Sequence, residues 1–252
     1  MIGQNHAPSA TGAKGLAMGN IRTVSTDATS LFGNQAGLAQ LTKKNAFVFG
    51  ENRFLLPNVN QFSAGFALPT TSGSFGFAVQ YFGFDGYNEQ KIGLAFARKL
   101  TQKLSIGAQM DYLNLRIPEY GNSGKVTFEL GIQAQISQKL MIGTHIFSPI
   151  TIDWNETEVV PTIFAIGGRY QPSKKLTLSA EVEKDFEYPL NVKFGLDYQI
   201  IEPLSFRVGF STFPVQNSFG IGLHLKNMTI DLASVFHPIL GVSSGISISQ
   251  NF

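Results

Sequence analysis

From Lys44 onward the chain obeys one rule: apolar and polar residues alternate with period two, in one segment of about ten residues after another. Leu104, Ile106, Ala108, Met110 and Tyr112 alternate with Ser105, Gly107, Gln109 and Asp111. Val126, Phe128, Leu130, Ile132, Ala134 and Ile136 alternate with Thr127, Glu129, Gly131, Gln133 and Gln135. The same holds at Leu176–Glu183, Leu190–Ile200 and Leu204–Ser211. Successive side chains of a strand point to opposite faces, so each segment is a strand with one apolar and one polar face. Ten residues is about what a tilted strand needs to cross a bilayer. Roughly fourteen such segments occur, an even number as in bacterial single-chain barrels. Their spans are 45–54, 59–68, 74–83, 89–98, 103–115, 125–136, 139–147, 159–170, 175–184, 190–200, 203–212, 217–225, 228–236 and 240–252. The predicted fold is all-β, a transmembrane antiparallel β-barrel.

Composition agrees. Charged residues are 14% of the 252 residues, against about 25% in an average soluble domain. The 22 phenylalanines and 26 glycines accompany a mean hydropathy of only +0.06, so apolar residues are dispersed, and no run of about 18 of them forms a transmembrane helix. A soluble β-sandwich is the alternative, but it would carry more surface charge. A net charge of +2 with no basic run argues against nucleic acid. Without cysteine there are no disulfides and no thiolate metal site. The first residues lack a basic stretch followed by an apolar core, as expected of a mature exported chain.

The connections support a barrel. Predicted turns at Pro69–Gly73, Lys99–Gln102, Ser137–Gln138, Gln171–Lys174, Ile201–Glu202 and Lys226–Asn227 are short. Those at Phe84–Asn88, Arg116–Gly124, Ser148–Glu158 and Asp185–Pro189 fall on the opposite side and include the longest. Outer-membrane barrels have short periplasmic turns and longer outer loops, which places both termini in the periplasm. Lys103-Leu104, Lys139-Leu140 and Lys175-Leu176 recur at intervals of 36, each opening a strand, as a copied strand pair would. The last strand carries Ile246, Ile248 and the terminal Phe252 on one face, a partial match to the signal read by barrel-assembly machinery.

In lipid the apolar face of each strand turns outward and the polar face lines a lumen. The polar set holds Asp111, Glu129, Arg169, Glu181, Glu183, Lys193, Asp197, Arg207 and Asp231. Both signs are present, so the charges can neutralise one another. The many small residues on this face leave room for something else inside. Gly12–Leu41 is the only unassigned stretch large enough. The chain therefore divides into a periplasmic tail and lumen hatch, 1–43, and a barrel, 44–252. Within the hatch, Ser25, Thr26 or Asp27 is suited to cap a short helix at Ala28–Phe32, and Asn34 and Gly37 suit a turn. Trp154 and tyrosines 81, 87, 112, 170, 188 and 198 lie near strand ends, as girdle residues do.

The hatch stretch resembles the N-terminal segment of the FadL/PorV-like outer-membrane family. The resemblance rests on Gly12, Ala13, Lys14, Met18, Gly19 and Asp27, then Asn34, Ala36, Gly37 and Leu38. Lys14 stands where the family has Arg, and Gln35 where it has Pro. The strand starts look like those of Bacteroidota barrels. The resemblance implies a fourteen-stranded barrel with an N-terminal hatch. It also implies two kinds of function. FadL carries long-chain fatty acids through a lateral opening, and PorV serves type IX secretion.

No nucleophile, dinucleotide, phosphate-loop or metal motif is present, so no enzyme, cofactor or metal is predicted. His145 and His224 fall on the lumen face and are expected to be satisfied there, with Glu181 and Glu183 balanced by Lys193 or Arg207. Two functions remain. The first is an accessory subunit of a larger outer-membrane machine, for secretion or barrel assembly. Its phenylalanine-rich wall would meet lipid and another outer-membrane barrel. The alternative is a FadL-like channel for hydrophobic small molecules, with a lateral opening near Pro161, Gly167 and Gly168, because Pro removes a ladder donor and Gly weakens a strand.

Overall fold

The computed structural model describes residues 11–56, 58–118, 121–154 and 159–252. Fourteen strands follow one another as an antiparallel meander: β1 Asn45–Asn52, β2 Asn60–Pro69, β3 Ser74–Phe84, β4 Tyr87–Lys99, β5 Leu104–Ile117, β6 Gly121–Gln135, β7 Leu140–Phe147, β8 Ile163–Ser173, β9 Leu176–Asp185, β10 Asn191–Ile201, β11 Leu204–Thr212, β12 Val215–His224, β13 Met228–His237 and β14 Gly241–Asn251. Each pairs with its sequence neighbours, and β1 pairs with β14 from Asn45↔Asn251 to Asn52↔Ser244, which closes the barrel. The seam is held at one end by Asn45 Nδ2 donating to Asn251 Oδ1 at 2.7 Å and by the Phe252 amide donating to Lys44 O at 2.9 Å.

Alternation decides which face each residue takes. In β6, Phe128 points outward and is 45% exposed, while the next residue, Glu129, points inward and is 1% exposed. Phe62, Leu94, Phe194, Phe219, Leu232, Ile246 and Ile248 share the outer face. Gln61, Lys91, Gln133 and His145 are buried inside. Apolar surface outside with buried charge inside is the reverse of a water-soluble protein, and a closed barrel leaves no unpaired edge to lipid. The barrel is thus a membrane-spanning one.

Residues 12–41 lie in the lumen. They form one turn of helix, α1 (Ala13–Ala17), and two 3₁₀ segments at Ala28–Phe32 and Gln35–Gln40. Ala13, Ala17, Leu31, Phe32 and Leu38 pack against inward Phe47, Phe49, Ala78, Ala95 and Val235 to form one apolar cluster. A smaller cluster of Leu113, Phe147, Trp154, Val160 and Ile163 sits at the opposite mouth, which is called here the loop end.

Four sequence expectations need correction. β8 begins at Ile163 rather than 159, because Val160 and Pro161 are apolar for packing inward, not for facing lipid. The expected Phe84–Asn88 turn is narrower, since β3 and β4 pair out to Phe84↔Tyr87 and close on Asp85-Gly86. The expected Arg116–Gly124 loop is mostly strand, since β5 and β6 pair out to Ile117↔Gly121; Glu119 and Tyr120 lie outside the described residues, as do 155–158. Trp154 is not a girdle residue: it is 6% exposed within the loop-end cluster.

Candidate functional site

The lumen segment is tied internally by the residues that its sequence motif singles out. Asp27 caps the first 3₁₀ segment, its Oδ1 accepting from the Thr29 amide at 3.0 Å. Lys14 Nζ reaches Asp27 Oδ2 at 3.2 Å and so ties the first helical turn to that cap. Partial burial pushes the Asp27 carboxyl up, but Lys14 and the bonds from Thr29 outweigh it and hold the group below the usual carboxylate range. Asn34 caps the second 3₁₀ segment through Ala36 N at 3.1 Å. Its Nδ2 faces three carbonyls, Thr23 at 2.8 Å, Ile132 at 3.0 Å and Thr144 at 3.0 Å. One side chain therefore joins two turns of the plug to β6 and β7.

The wall is thinned where the plug touches it. Gly107 and Gly131 are cross-strand partners, as are Gly143 and Gly167, and Gly195 and Gly209. A Cβ on Gly131 would stand 2.0 Å from Asn34 Oδ1, one on Gly143 2.2 Å from Thr23 O, and one on Gly209 2.0 Å from Gly19 N. No side chain fits there, so the plug packs directly on the wall backbone, through its own backbone at Gly143 and Gly209 and through the Asn34 side chain at Gly131. Gly37 is needed for the same reason within the plug, where a Cβ would lie 2.1 Å from Ser25 O. At Gly19 the backbone also takes φ +71°, which glycine adopts without strain.

Among the described residues, the lumen charges named in the sequence gather mainly into three ionic groups. Glu181 and Glu183 meet Lys193, at 2.9 and 2.8 Å, and the plug residue Arg22, whose guanidinium pairs with Glu183. Arg207 does not join them. Its Nε bonds Asp197 at 2.9 Å and its Nη1 bonds Asp231 at 2.6 Å. Glu129 accepts from Lys91 Nζ at 2.5 Å and from the plug residue Gln35 at 2.7 Å, and it lies 2.9 Å from His145 Nε2. Asp111 accepts from Gln109 at 2.8 Å. Arg169 bonds the plug through Thr26 Oγ1 at 3.1 Å and Val24 O at 3.3 Å. His224 is 3.0 Å from Ser205 Oγ. Lys91, Arg22 and Gln35 escape a reading of the sequence because their partners are far away in the chain.

Two cavities flank the plug. At the loop end a vestibule of about 550 Å³ has Leu16, Gly19 and Asn20 as its floor and Pro161, Tyr188, Phe213 and His237 in its walls. Toward the other end a chamber of about 350 Å³ is bounded by Gly15, Met18 and Ile21 of the plug and by Arg169 and Asp197 of the wall. The segment Gly15–Ile21 lies between them.

No protein-family model matches the sequence, and neither does any curated protein. Solved structures do match. The Ralstonia pickettii toluene transporter TbuX superposes with a TM-score of 0.75 at 15% identity, over 97% of this chain and 99% of that one. The Pseudomonas putida toluene transporter TodX gives 0.74 at 13%, over 97% and 98%. A Pseudomonas aeruginosa FadL homologue gives 0.72 at 13%, also over 97% and 98%. The fold is that of the FadL-type barrels.

Within this FadL-type barrel the residues expected to form a lateral opening do not come together. Pro161 precedes β8 and lines the vestibule. Gly167 faces the plug, where a Cβ would meet Thr23 Oγ1 at 2.3 Å, and Gly168 faces outward. β8 pairs with β7 and with β9 without a break from Ile163 to Tyr170, so the wall is closed there. Ile246, Ile248 and Phe252 face outward on β14 and at its end. Among the described residues no cluster of metal-ligating side chains occurs.

Proposed function

We propose that the chain is an outer-membrane channel through which hydrophobic small molecules enter by the vestibule, with residues 12–41 acting as the hatch and both termini in the periplasm. One observation carries the reading: two cavities lie on opposite sides of one short plug segment, Gly15–Ile21, so displacing that segment joins them into a path. A vestibule whose wall sets aromatic and proline side chains beside polar and charged ones suits a small, largely apolar ligand that carries a polar group. The named structural neighbours are described as toluene transporters and a FadL homologue, and this favours the channel over the accessory subunit, to which the sequence analysis gave precedence.

The test is uptake of labelled hydrophobic solutes by Gram-negative cells that lack their own FadL-type channels and express this chain. Uptake above the vector control is expected, and Pro161→Trp, which sets a bulky ring in the vestibule wall, should lower it. Uptake equal to the control would remove the channel reading. A stoichiometric barrel partner copurifying in mild detergent would then favour the accessory subunit, whose support is the phenylalanine-rich outer wall.

A further inference from the structure

We propose that the vestibule takes an organic cation: an apolar body carrying a quaternary or protonated amine. This rests on the channel reading and names its solute class. The charged side chains lining the vestibule are Glu51, Arg53, Glu183, Asp185 and Glu187, with His237 and Tyr188 as its other titratable groups. Glu183 is already met by Arg22 and Lys193, and Glu51 Oε2 lies 3.6 Å from Arg53 Nε. Nδ1 of His237 accepts from the amides of Ile239 and Leu240 at 3.2 and 3.1 Å, so that nitrogen is already engaged. Asp185 and Glu187 remain. Among the described residues neither forms an ion pair. Lys184, the lysine next to Asp185, does not line the cavity and donates to Tyr188 O at 2.5 Å. Among the described residues the mouth therefore carries two carboxylates that form no ion pair.

The aromatic groups point the same way. The Tyr188 and Phe213 rings lie 6.3 Å apart, inclined at 32°, in the wall beside these carboxylates. Phe54 stands edge-on to His237, 6.1 Å away. Ring faces attract cations, and aromatic walls are how quaternary ammonium groups are commonly held. Carboxylates and rings in the same wall form a site for a positive head, with Pro161, Ile163 and Leu16 left to contact the apolar body. A carboxylate-headed solute meets the wrong sign of field at the same place.

The experiment uses the full chain in nanodiscs of zwitterionic lipid. Isothermal titration follows decyltrimethylammonium, decanoate and decanol, with empty discs subtracted. The ammonium probe is expected to bind at least about tenfold more tightly than decanoate. In a double variant, Asp185→Asn with Glu187→Gln, that ratio should fall to about twofold while decanol binding stays unchanged; a heat-modifiable gel shift checks that the variant barrel is folded. Decanol binding with decanoate bound as tightly as the ammonium probe overturns the cation preference and leaves the channel reading standing. A preference that survives the double variant also overturns the proposal, since other groups would then cause it. If none of the three probes binds beyond empty discs, both readings fail.

Discussion

The backbone amide of Arg22 donates to Glu181 Oε2 at 2.8 Å, across 159 residues of sequence. The same oxygen accepts from Thr23 N and Thr23 Oγ1, each at 2.8 Å, while Oε1 takes Lys193. One buried carboxylate thus anchors the middle of the plug to β9. Glu181→Ala leaves two amides and the Thr23 hydroxyl without their acceptor and takes one of the two carboxylates from Lys193, which keeps Glu183, a loss of about 3–5 kcal/mol for a broken buried ion pair. The expected outcome is a loosened plug in an intact barrel. Arg22 is 1% exposed, so trypsin cleavage after Arg22 should be absent in the parent protein and present in the variant. Glu181→Gln keeps an acceptor for the amides and should be cut more slowly.

Asn34 offers a test in which charge sign, not size, decides. Its amide nitrogen faces the carbonyls of Thr23, Ile132 and Thr144. Asn34→Ala leaves these acceptors unmet, at a cost of about 1–3 kcal/mol. Asn34→Asp is nearly isosteric and keeps the cap on Ala36, yet it turns an acceptor-only carboxylate toward three carbonyls. The aspartate variant should therefore be the less stable of the two by urea unfolding, although it is the smaller change in shape. The reverse order would mean that the cap dominates at this position.

Strands were easy to read because lipid outside and polar contacts inside impose opposite demands on successive residues. The signal fails where a residue faces neither. Val160 and Pro161 look like strand because they are apolar, but they pack under the loop-end mouth. Lys91 shares the inward face of β4 with Glu89, but the inward residues that follow, Gly93, Ala95 and Ala97, are small and make that end of the face look apolar. They are small because the plug or its supporting side chains lie against them: a Cβ on Gly93 would stand 2.5 Å from Gln109 Nε2. The plug itself has no period, since a lumen supplies contacts on every side. Its legible residues were the caps, Asp27 and Asn34, whose chemistry is local. Pairings such as Arg22 with Glu183 depend on where a short segment meets a wall strand, which no local pattern encodes.

Trp154 is the only tryptophan, so fluorescence reports its surroundings without mutation. It packs with Leu113, Phe147, Val160 and Ile163 inside the loop-end mouth rather than among headgroups. Its emission should be blue-shifted and poorly quenched both by aqueous iodide and by lipids brominated near the headgroup. Strong quenching by the brominated lipids would place it in an interfacial girdle instead. Leu113→Ala removes a fully buried neighbour, at a cost of about 2–5 kcal/mol for such a truncation, and should raise iodide quenching.

The glycine pairs allow the plug to be displaced without touching it. Gly209 faces inward, where a Cβ would stand 2.0 Å from Gly19 N and 2.4 Å from the Met18 carbonyl carbon. Gly168 faces outward, and a Cβ there meets only Met141 O at 3.7 Å. Valine suits a strand at either position, so barrel formation should survive both changes. Gly209→Val must push the Met18–Gly19 turn off β10 and β11, an overpacking cost of about 1–3 kcal/mol carried by the plug. Because that turn separates the vestibule from the inner chamber, the expected result in planar bilayers is a conductance that the parent protein lacks. Gly168→Val should behave as the parent does. Equal conductance in the two variants would show that the barrier lies elsewhere, with the Asn34-anchored part of the plug as the next place to look.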